Sequence, residues 1–507
     1  MRKKTAAVQK RFSGILAHPT SFPSPYGIGD LGEGAYQFID FLKNAGQSLW
    51  QCLPLGPTGY GDSPYQSFCA FAGQPLIISP DRLADMGLLS EEDLEDIPEW
   101  DEEKVDYGPA IAYKNQLLRI AYDTFKKPEM QENLSGAYTS FCRKNKAWLD
   151  DYALFMALKD ANDGKAWLLW PDEYKNADLK ARRRLMRRFK DEAGYYKFIQ
   201  FIFFIQWDAL KNYAHDNGIR IIGDIPIFVS PDSADIWANK ELFALNEKGY
   251  PLAVAGVPPD YFSATGQLWG NPLYNWEAHK ATGYAWWILR IKNQLKLVDF
   301  LRIDHFRGFE AYWAVPYGRK TAQRGKWLKG PGADLFNAIR QALGDDLPIF
   351  AEDLGVITPE VEKLRDEFHF PGMKVLQFGF DDVEENNFLP YLFTENCICY
   401  TGTHDNDTTA GWYATASEAS KDKVRRYMNC DGGMVARDFI RTAMGSVARY
   451  AIFPLQDALG LGSEARMNIP GTPSGNWAWR YTQDMLTPGL AQDLAELTVL
   501  YGRRRVL

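Results

Sequence analysis

The feature that most constrains the fold is a series of eight short apolar runs, most of them rich in β-branched residues. Such runs are typical of strands that are buried on both faces, and helical patterns between them indicate a parallel sheet. Eight strands of this kind predict an α/β fold, a closed (β/α)8 TIM barrel. The predicted strands are 12–16, 49–55, 219–229, 297–303, 348–351, 374–380, 398–401 and 450–455.

The spacing of the runs is uneven. Residues 66–218, between the second and third runs, are too many for a plain connection. Helical patterns at 113–125, 141–159 and 198–217 predict a helical insertion subdomain over 66–218. Residues 230–296 form a second predicted insertion, which carries an active-site loop. We therefore predict a single catalytic barrel domain over 1–507 with large, mainly helical insertions.

The aromatic content narrows the choice of ligand. The chain has 16 Trp, 26 Tyr and 30 Phe. Most of the Phe are expected in the core, but Tyr and Trp also offer flat apolar faces with a polar tip, which suit sugar rings. The net charge is −8, and the arginine cluster at 182–188 has the spacing of a solvated helix face, so nucleic acid is disfavoured as a partner.

Other partner classes are also disfavoured. The chain has no run of 18 apolar residues and its first residues lack an apolar signal segment, so we expect no membrane partner and a cytoplasmic location. The six cysteines include no CxxC pair, and their spacing fits neither a zinc site nor a disulfide framework. The sequence leaves the oligomeric state open.

Acidic residues end several of the predicted strands. Asp224, Asp304, Glu352 and Asp405 follow apolar runs three, four, five and seven, and strand ends are where barrels of this kind carry functional residues. Glycosidic bond chemistry needs one protonated and one ionised carboxyl, and crowded like charges separate their pKa values. Helix capping, salt bridges and a metal site are competing uses of these acids, although no HExxH-like spacing supports a metal.

A set of ordered motifs carries a resemblance to a known family. The chain resembles the 4-α-glucanotransferases (amylomaltases, or disproportionating enzymes) of glycoside hydrolase family 77, relatives of the α-amylases, over essentially its whole length. The motifs are SGILAHPTS at 13–21, YGIGD at 26–30, DSPYQS at 62–67, GDIPI at 223–227, PPDYFS at 258–263, WGNPLY at 269–274, RIDHFRG at 302–308, AEDLG at 351–355, THDN at 403–406 and GNW at 475–477.

The resemblance implies roles for the three strand-end carboxylates. Asp304 resembles the nucleophile that forms a covalent glycosyl–enzyme. Glu352 resembles the general acid and base. Asp405 resembles the residue that stabilises the transition state by binding sugar hydroxyls.

The resemblance also implies a set of substrate-binding residues. Arg302 is expected to hold Asp304 ionised, and His404 to hydrogen-bond the sugar that is cleaved. The 255–259 stretch resembles a family loop over the cleft, and it departs from the family at Val257, where a small residue is usual. The full set of expected substrate-binding residues is Arg302, His404, Asp224, Tyr65, Ser63, Trp269, Asn271 and Asp260.

The resemblance therefore implies retaining transfer of α-1,4-glucan segments to the 4-hydroxyl of another glucan or of glucose, with no metal and no cofactor. The expected partners are malto-oligosaccharide, starch-type or glycogen-type donors and glucose or maltose acceptors. The nearest alternative is an α-amylase-like hydrolase of the same bond. A non-catalytic glucan-binding protein and a metal-dependent barrel hydrolase are the alternatives from other classes.

Overall fold

The computed structural model describes residues 10–259, 263–381 and 386–504. The strands in chain order are β1 (Phe12–Leu16), β2 (Leu49–Gln51), β3 (Arg220–Pro226), β4 (Ala253–Val257), β5 (Gln267–Pro272), β6 (Phe300–Asp304), β7 (Ala311–Pro316), β8 (Lys326–Lys329), β9 (Ile349–Ala351), β10 (Gly372–Val375), β11 (Cys397–Tyr400) and β12 (Tyr450–Pro454).

The α-helices alternate with these strands and fill the longer connections between them. In chain order they are α1 (Glu33–Asn44), α2 (Pro80–Asp85), α3 (Tyr107–Phe125), α4 (Pro128–Lys144), α5 (Lys146–Asp160), α6 (Asp172–Lys175), α7 (Leu179–Arg188), α8 (Lys190–Asp216), α9 (Ala234–Ala238), α10 (Trp276–Ala281), α11 (Ala285–Leu297), α12 (Ala333–Leu343), α13 (Pro359–Glu367), α14 (Thr409–Thr415), α15 (Glu418–Met428), α16 (Val435–Gly445), α17 (Leu455–Leu459) and α18 (Pro488–Leu500).

Eight strands form one parallel sheet in the order β10-β11-β12-β1-β2-β3-β6-β9. The first and last strands of the chain pair in register, Phe12 with Tyr450 and Leu16 with Pro454. Between β9 and β10, the amide of Ala351 donates to the carbonyl of Pro371 at 2.9 Å. The sheet therefore curls into a barrel, and the predicted (β/α)8 fold is confirmed.

The barrel strands are apolar because both of their faces are covered. Ile221 and Ile222 on β3 and Ile452 on β12 have no exposed surface. Helices cover the outside of a parallel barrel and side chains fill its inside, so a strand has no face for polar residues. At Gly14 of β1, a Cβ atom would lie 2.3 Å from the carbonyl oxygen of Leu49 on β2, so only glycine allows this close approach.

Four predicted strands differ from the observed ones by more than one residue. β2 ends at Gln51 instead of 55, β3 ends at Pro226 instead of 229, and β6 begins at Phe300 instead of 297. In place of the strand predicted over 374–380, the structure has a strand over Gly372–Val375 followed by a 3-10 helix over Leu376–Phe380. Leu376 and Phe380 are both fully buried in a satellite cluster with Phe439 of α16. A strand would also place residues four apart on one face, so the apolar character of Leu376 and Phe380 does not distinguish a strand from this helical turn.

Residues 66–218 contain helices α2 to α8, as the sequence predicts. The longest, α8, packs on α5 in the insertion and on α1 and β3 of the barrel. Two glutamines fasten it to the loop before α2: Gln200 bonds both the amide and the carbonyl of Gly73, and Gln206 does the same for Ser79. The division of the chain into a barrel and two insertions stays a prediction.

A second sheet, which the sequence did not predict, lies beside the barrel. Its four antiparallel strands have the order β5-β4-β7-β8. Tyr312 and Ala314 of β7 and Ala255 of β4 are buried in the main core, and Val254 and Val315 form a small cluster on the other face. Strand β8 is largely exposed, which explains why no apolar run marks it.

Across the part of the chain that the structure describes, no helix combines the length and the apolar character that a bilayer span requires.

A buried arginine joins the two ends of the chain at the base of the barrel. Arg503, which follows α18, has no exposed surface. Its guanidinium donates to the carbonyls of Phe12 on β1 at 2.8 Å, of Met444 at 2.7 Å and of Ala448 at 3.0 Å. Further bonds reach Ala443 and Ser446. One side chain thus satisfies carbonyl groups from β1 and from the segment that precedes β12.

Replacing Arg503 with Met is expected to lower the free energy of unfolding by about 3 kcal/mol, because buried carbonyl oxygens lose a charged donor. The measurement is the midpoint of urea denaturation. Arg504→Met is the matched control, since Arg504 is the exposed neighbour and should leave the midpoint unchanged. Equal effects of the two substitutions would contradict the structural role of Arg503.

Candidate active site

The four strand-end acids meet at one mouth of the barrel. Asp224 lies in β3, Asp304 ends β6, Glu352 directly follows β9, and Asp405 lies in the loop after β11. Parallel strands place their carboxyl ends on the same side of the barrel. The sequence-based expectation that these acids share a mouth is therefore consistent with the strand positions and with the contacts that follow.

Arg302 occupies the centre of the site. It is two residues before Asp304 on β6, so both side chains point to the barrel interior, and it pairs in register with Asp224 on β3. Its guanidinium bonds Asp224 Oδ2 at 2.5 Å and Asp304 Oδ1 at 2.9 Å. The Tyr65 hydroxyl donates to the same Asp224 oxygen at 2.8 Å. One buried cation thus orients the carboxylates of two strands.

Glu352 is held by two backbone amides. His305 N donates to Oε2 at 2.6 Å and Leu354 N donates to Oε1 at 2.8 Å. His305 has the left-handed conformation, with φ of 55°, which is uncommon for a non-glycine residue and costs energy. The conformation turns the chain after Asp304, at the residue whose amide bonds Glu352.

Burial and neighbouring charge give the carboxyl groups of Asp304 and Glu352 different pKa values. Burial, with the Asp304 charge as a second cause, raises the pKa of Glu352 to about 8. Burial raises the pKa of Asp304 to about 6, while the Arg302 cation acts in the opposite direction. Because the pKa of Glu352 is raised further than that of Asp304, the two groups favour a proton on Glu352 and a charge on Asp304, which is the division of roles that a retaining glycosidic mechanism needs.

Asp405 lies at the edge of the site, with half of its side-chain surface exposed. Asn468 Nδ2 donates to its Oδ1 at 2.6 Å, and Arg466 donates to its backbone carbonyl at 2.7 Å. His404 Nε2 lies 3.4 Å from Oδ1. A carboxylate held in this way has one oxygen left to accept from a ligand hydroxyl.

Aromatic rings line the mouth beside these acids. Tyr65 and His404 are stacked, with ring centroids 5.2 Å apart, and Trp477 packs against both at 5.9 and 5.8 Å. Trp269 of β5 packs edge-on against His305 at 4.8 Å. His404 and Trp477 are buried and pack behind the site, whereas Tyr65 and Trp269 keep part of their surface exposed beside the acids, as sugar-binding aromatic residues do.

Three further residues are predicted to bind substrate, and the two that the structure describes bond backbone groups near the site. Asn271 is buried and its amide donates to the carbonyl of Val229 at 2.9 Å, so it fastens β5 to the segment after β3. The Ser63 hydroxyl accepts from the amide of Tyr65 at 3.3 Å. Asp260 lies outside the described residues. The substrate-binding roles assigned to these three residues stay predictions.

Sequence reasoning missed Arg466 and Asn468, and it quoted Trp477 as part of a motif without placing it in the site. All three come from the segment between α17 and α18, which follows the last barrel strand. A signal was available, because loops that follow barrel strands build the mouth, and this loop carries polar and aromatic residues in Arg466–Asn468 and Trp477.

Within residues 10–259, 263–381 and 386–504, no group of three or more His, Cys, Asp or Glu side chains is arranged to hold a metal ion.

Comparison with known sequences points to one family. The model of glycoside hydrolase family 77, described as 4-alpha-glucanotransferase, matches residues 17–486. The chain is similar to a 4-alpha-glucanotransferase from Synechocystis sp., with 54% identity over 98% of this chain and 99% of that relative. It is 51% identical to a 4-alpha-glucanotransferase from Thermus thermophilus, over 94% of this chain and 96% of that relative.

Comparison of the fold with solved structures points to the same family. An amylomaltase from Streptococcus agalactiae, solved in complex with acarbose, matches with a TM-score of 0.93 and 41% identity, over 98% of this chain and 100% of that chain. Since identity and coverage are both high, the similarity extends to the insertions as well as to the barrel.

The raised pKa of Glu352 has a consequence for stability. A carboxyl whose pKa rises from 4.5 to about 8 on folding binds more protons when folded, so it makes the protein less stable as pH rises between those values. Relative to the unsubstituted protein, Glu352→Gln should therefore gain about 3 kcal/mol of unfolding free energy between pH 5 and pH 8.

The measurement is the urea midpoint of both proteins at each pH. The constant loss of a hydrogen bond in the Gln variant does not affect this slope. Glu360→Gln, at an exposed position at the start of α13, is the matched control and should follow the unsubstituted protein. A Glu352→Gln difference that stays flat from pH 5 to pH 8 would contradict the protonated state of Glu352.

Proposed function

This chain belongs to glycoside hydrolase family 77, the 4-alpha-glucanotransferases, and from that premise we propose that Asp304, Glu352 and Asp405 carry out glucan transfer through a covalent glycosyl–enzyme. The enzyme moves α-glucan segments from one chain to another. The observation that carries the proposed mechanism is the difference in hydrogen bonding between the two carboxyl groups. The Arg302 guanidinium bonds Asp304, whereas Glu352 accepts from two backbone amides.

The first half of the proposed reaction breaks the donor bond. Glu352 gives its proton to the glycosidic oxygen, and the released chain leaves with a new hydroxyl. The Asp304 carboxylate attacks the anomeric carbon and forms an ester with the retained sugar. Asp405 accepts hydrogen bonds from the hydroxyls of that sugar as positive charge develops on its ring.

The second half makes the new bond. Glu352, now ionised, accepts a proton from the 4-hydroxyl of an acceptor glucan, and the oxygen of that hydroxyl attacks the anomeric carbon. The ester to Asp304 breaks and the carboxylate is restored. Two inversions at one carbon retain the α-configuration, and Glu352 ends with the proton with which it began.

Transfer competes with hydrolysis at the glycosyl–enzyme. Water is favoured by its concentration, and an acceptor sugar is favoured by binding. The partly exposed rings of Tyr65 and Trp269 offer apolar surface on which an acceptor or donor sugar can lie, and His404 and Trp477 support Tyr65 from behind. We propose Arg302, Asp224 and Trp269 as further binding or positioning residues of this site.

The proposal also covers the identities of the donor and acceptor glucans. The donors are α-1,4-linked malto-oligosaccharides and starch-type or glycogen-type chains, and the acceptors are such chains, glucose or maltose. The cytoplasmic location that the sequence predicts stays a prediction.

Maltotriose distinguishes transfer from hydrolysis. The purified protein is expected to convert maltotriose to glucose and to oligomers longer than maltotriose, measured by chromatography of the products. Asp304→Asn should lower kcat by about 10⁴-fold or more, since the nucleophile is lost, while maltotriose binding persists in calorimetry. Glucose and maltose as the sole products would exclude the transferase, and full activity of Asp304→Asn would exclude its assigned role.

The pH dependence tests the proton assignments. kcat/KM should rise as pH increases through about 6, because Asp304 must be ionised, and should fall as pH increases through about 8, because Glu352 must be protonated. An α-glucosyl fluoride donor is the control, since its leaving group needs no proton, and with it the alkaline limb of glycosyl–enzyme formation should disappear. An unchanged alkaline limb with the fluoride would contradict the role of Glu352 as the acid.

A further inference from the structure

An exposed tryptophan lies on the second sheet. Trp327 of β8 has 39% of its surface exposed, whereas Trp50, Trp167, Trp207 and Trp287 are fully buried. It stands directly opposite Trp313 of β7 in the antiparallel ladder, and their ring centroids are 5.3 Å apart at 66°. A single partly exposed ring is ordinary in itself, so its significance depends on what packs against it and what surrounds it.

A buried arginine lies against one face of this ring. The Arg307 guanidinium carbon is 3.9 Å from the centroid of the Trp327 ring, and Arg307 is only 5% exposed. Arg307 also donates to the carbonyls of Ala311 and Val356, so its position is fixed by the backbone. The cation and its backbone bonds thus hold the ring in one orientation.

The arginine places the ring at the rim of the active site. Arg307 follows Asp304 by three residues, and Val356 follows Glu352 by four. The bond between Arg307 and Val356 therefore joins the turn after the proposed nucleophile to the loop after the proposed acid. Trp327 packs on this junction through Arg307.

The surroundings of the ring are polar. Lys329 pairs with Glu310 beside it on the same hairpin, and Lys326 is exposed on the other side of Trp327 in β8. A flat apolar face bordered by ammonium and carboxylate groups matches a sugar ring, whose faces are apolar and whose rim is made of hydroxyls. A protein partner would be expected to need a larger apolar patch than one exposed ring.

We propose that Trp327 is a stacking platform for an α-glucan chain at the rim of the barrel mouth, a subsite remote from the bond that is cleaved. The inference rests on the proposed function, since a remote subsite is useful to an enzyme whose substrate is a long chain. Its contribution is confined to glucans that extend from the mouth to the β7–β8 hairpin. Short donors do not reach it.

The test compares long and short substrates. Trp327→Ala should raise KM for amylose about fivefold, which is the loss expected for one aromatic stacking contact, and should leave kcat and KM for maltotriose unchanged. Trp327→Phe keeps a ring face and should stay within about twofold of the unsubstituted enzyme on both. Migration in native gels that contain amylose gives a second readout, which does not depend on turnover. Amylose should retard Trp327→Ala less than it retards the unsubstituted enzyme.

Tyr317→Ala is the matched control. Tyr317 directly follows β7 of the same sheet and is 51% exposed, but its ring packs against Tyr250, so its loss should not alter KM for amylose. Equal losses on amylose and maltotriose in Trp327→Ala would overturn the proposal, because they would indicate damage to the loop after Glu352. Unchanged amylose kinetics would also overturn it, as would a change of oligomeric state, which would assign the ring to a second copy of the chain.

These outcomes are separable from the fate of the proposed function. If the unsubstituted enzyme fails to disproportionate maltotriose, the glucan-transfer mechanism fails, whatever Trp327 does. If maltotriose is disproportionated and the amylose-specific effect is absent, the remote subsite alone fails.

Discussion

The buried guanidinium of Arg302 is the interaction on which the site depends. Charges taken out of water are costly unless they are paired and hydrogen-bonded, and here one cation bonds Asp224 on one strand and Asp304 on the next. The arrangement requires the register of β3 and β6, which places Arg302 opposite Asp224. A slip of one residue between these strands would turn the cation away from the interior.

The same cation makes the two reacting carboxyl groups different. Burial raises the pKa of Asp304, and the charge of the bonded Arg302 offsets part of that rise. Burial and the charge of Asp304 raise the pKa of Glu352 further, and the more distant Arg302 charge and two amide hydrogen bonds lower it only in part. The difference between the two carboxyl groups thus follows from the direct bond that Asp304 makes with the arginine and Glu352 does not.

The sequence predicts those parts of the molecule that are set locally. Barrel strands are buried on both faces, so they are visible as apolar runs, and Asp304 and Glu352 are identifiable because each ends such a run. The partly exposed strand β8 has no such pattern, and Leu376–Phe380 is helical because of its packing on α16. Asn468 reaches Asp405 across 63 residues of chain, and no spacing rule identifies a contact of that kind.

The junction at Arg503 has a consequence for how the protein is made. β1 pairs with β12, and the guanidinium of Arg503 joins the start of β1 to the segment that precedes β12. The barrel therefore cannot close before residues 450–454 have been made, because β12 is the second partner of β1. Until then β1 has one unpaired edge, and the final closure has the high loop-closure cost of contacts between distant residues.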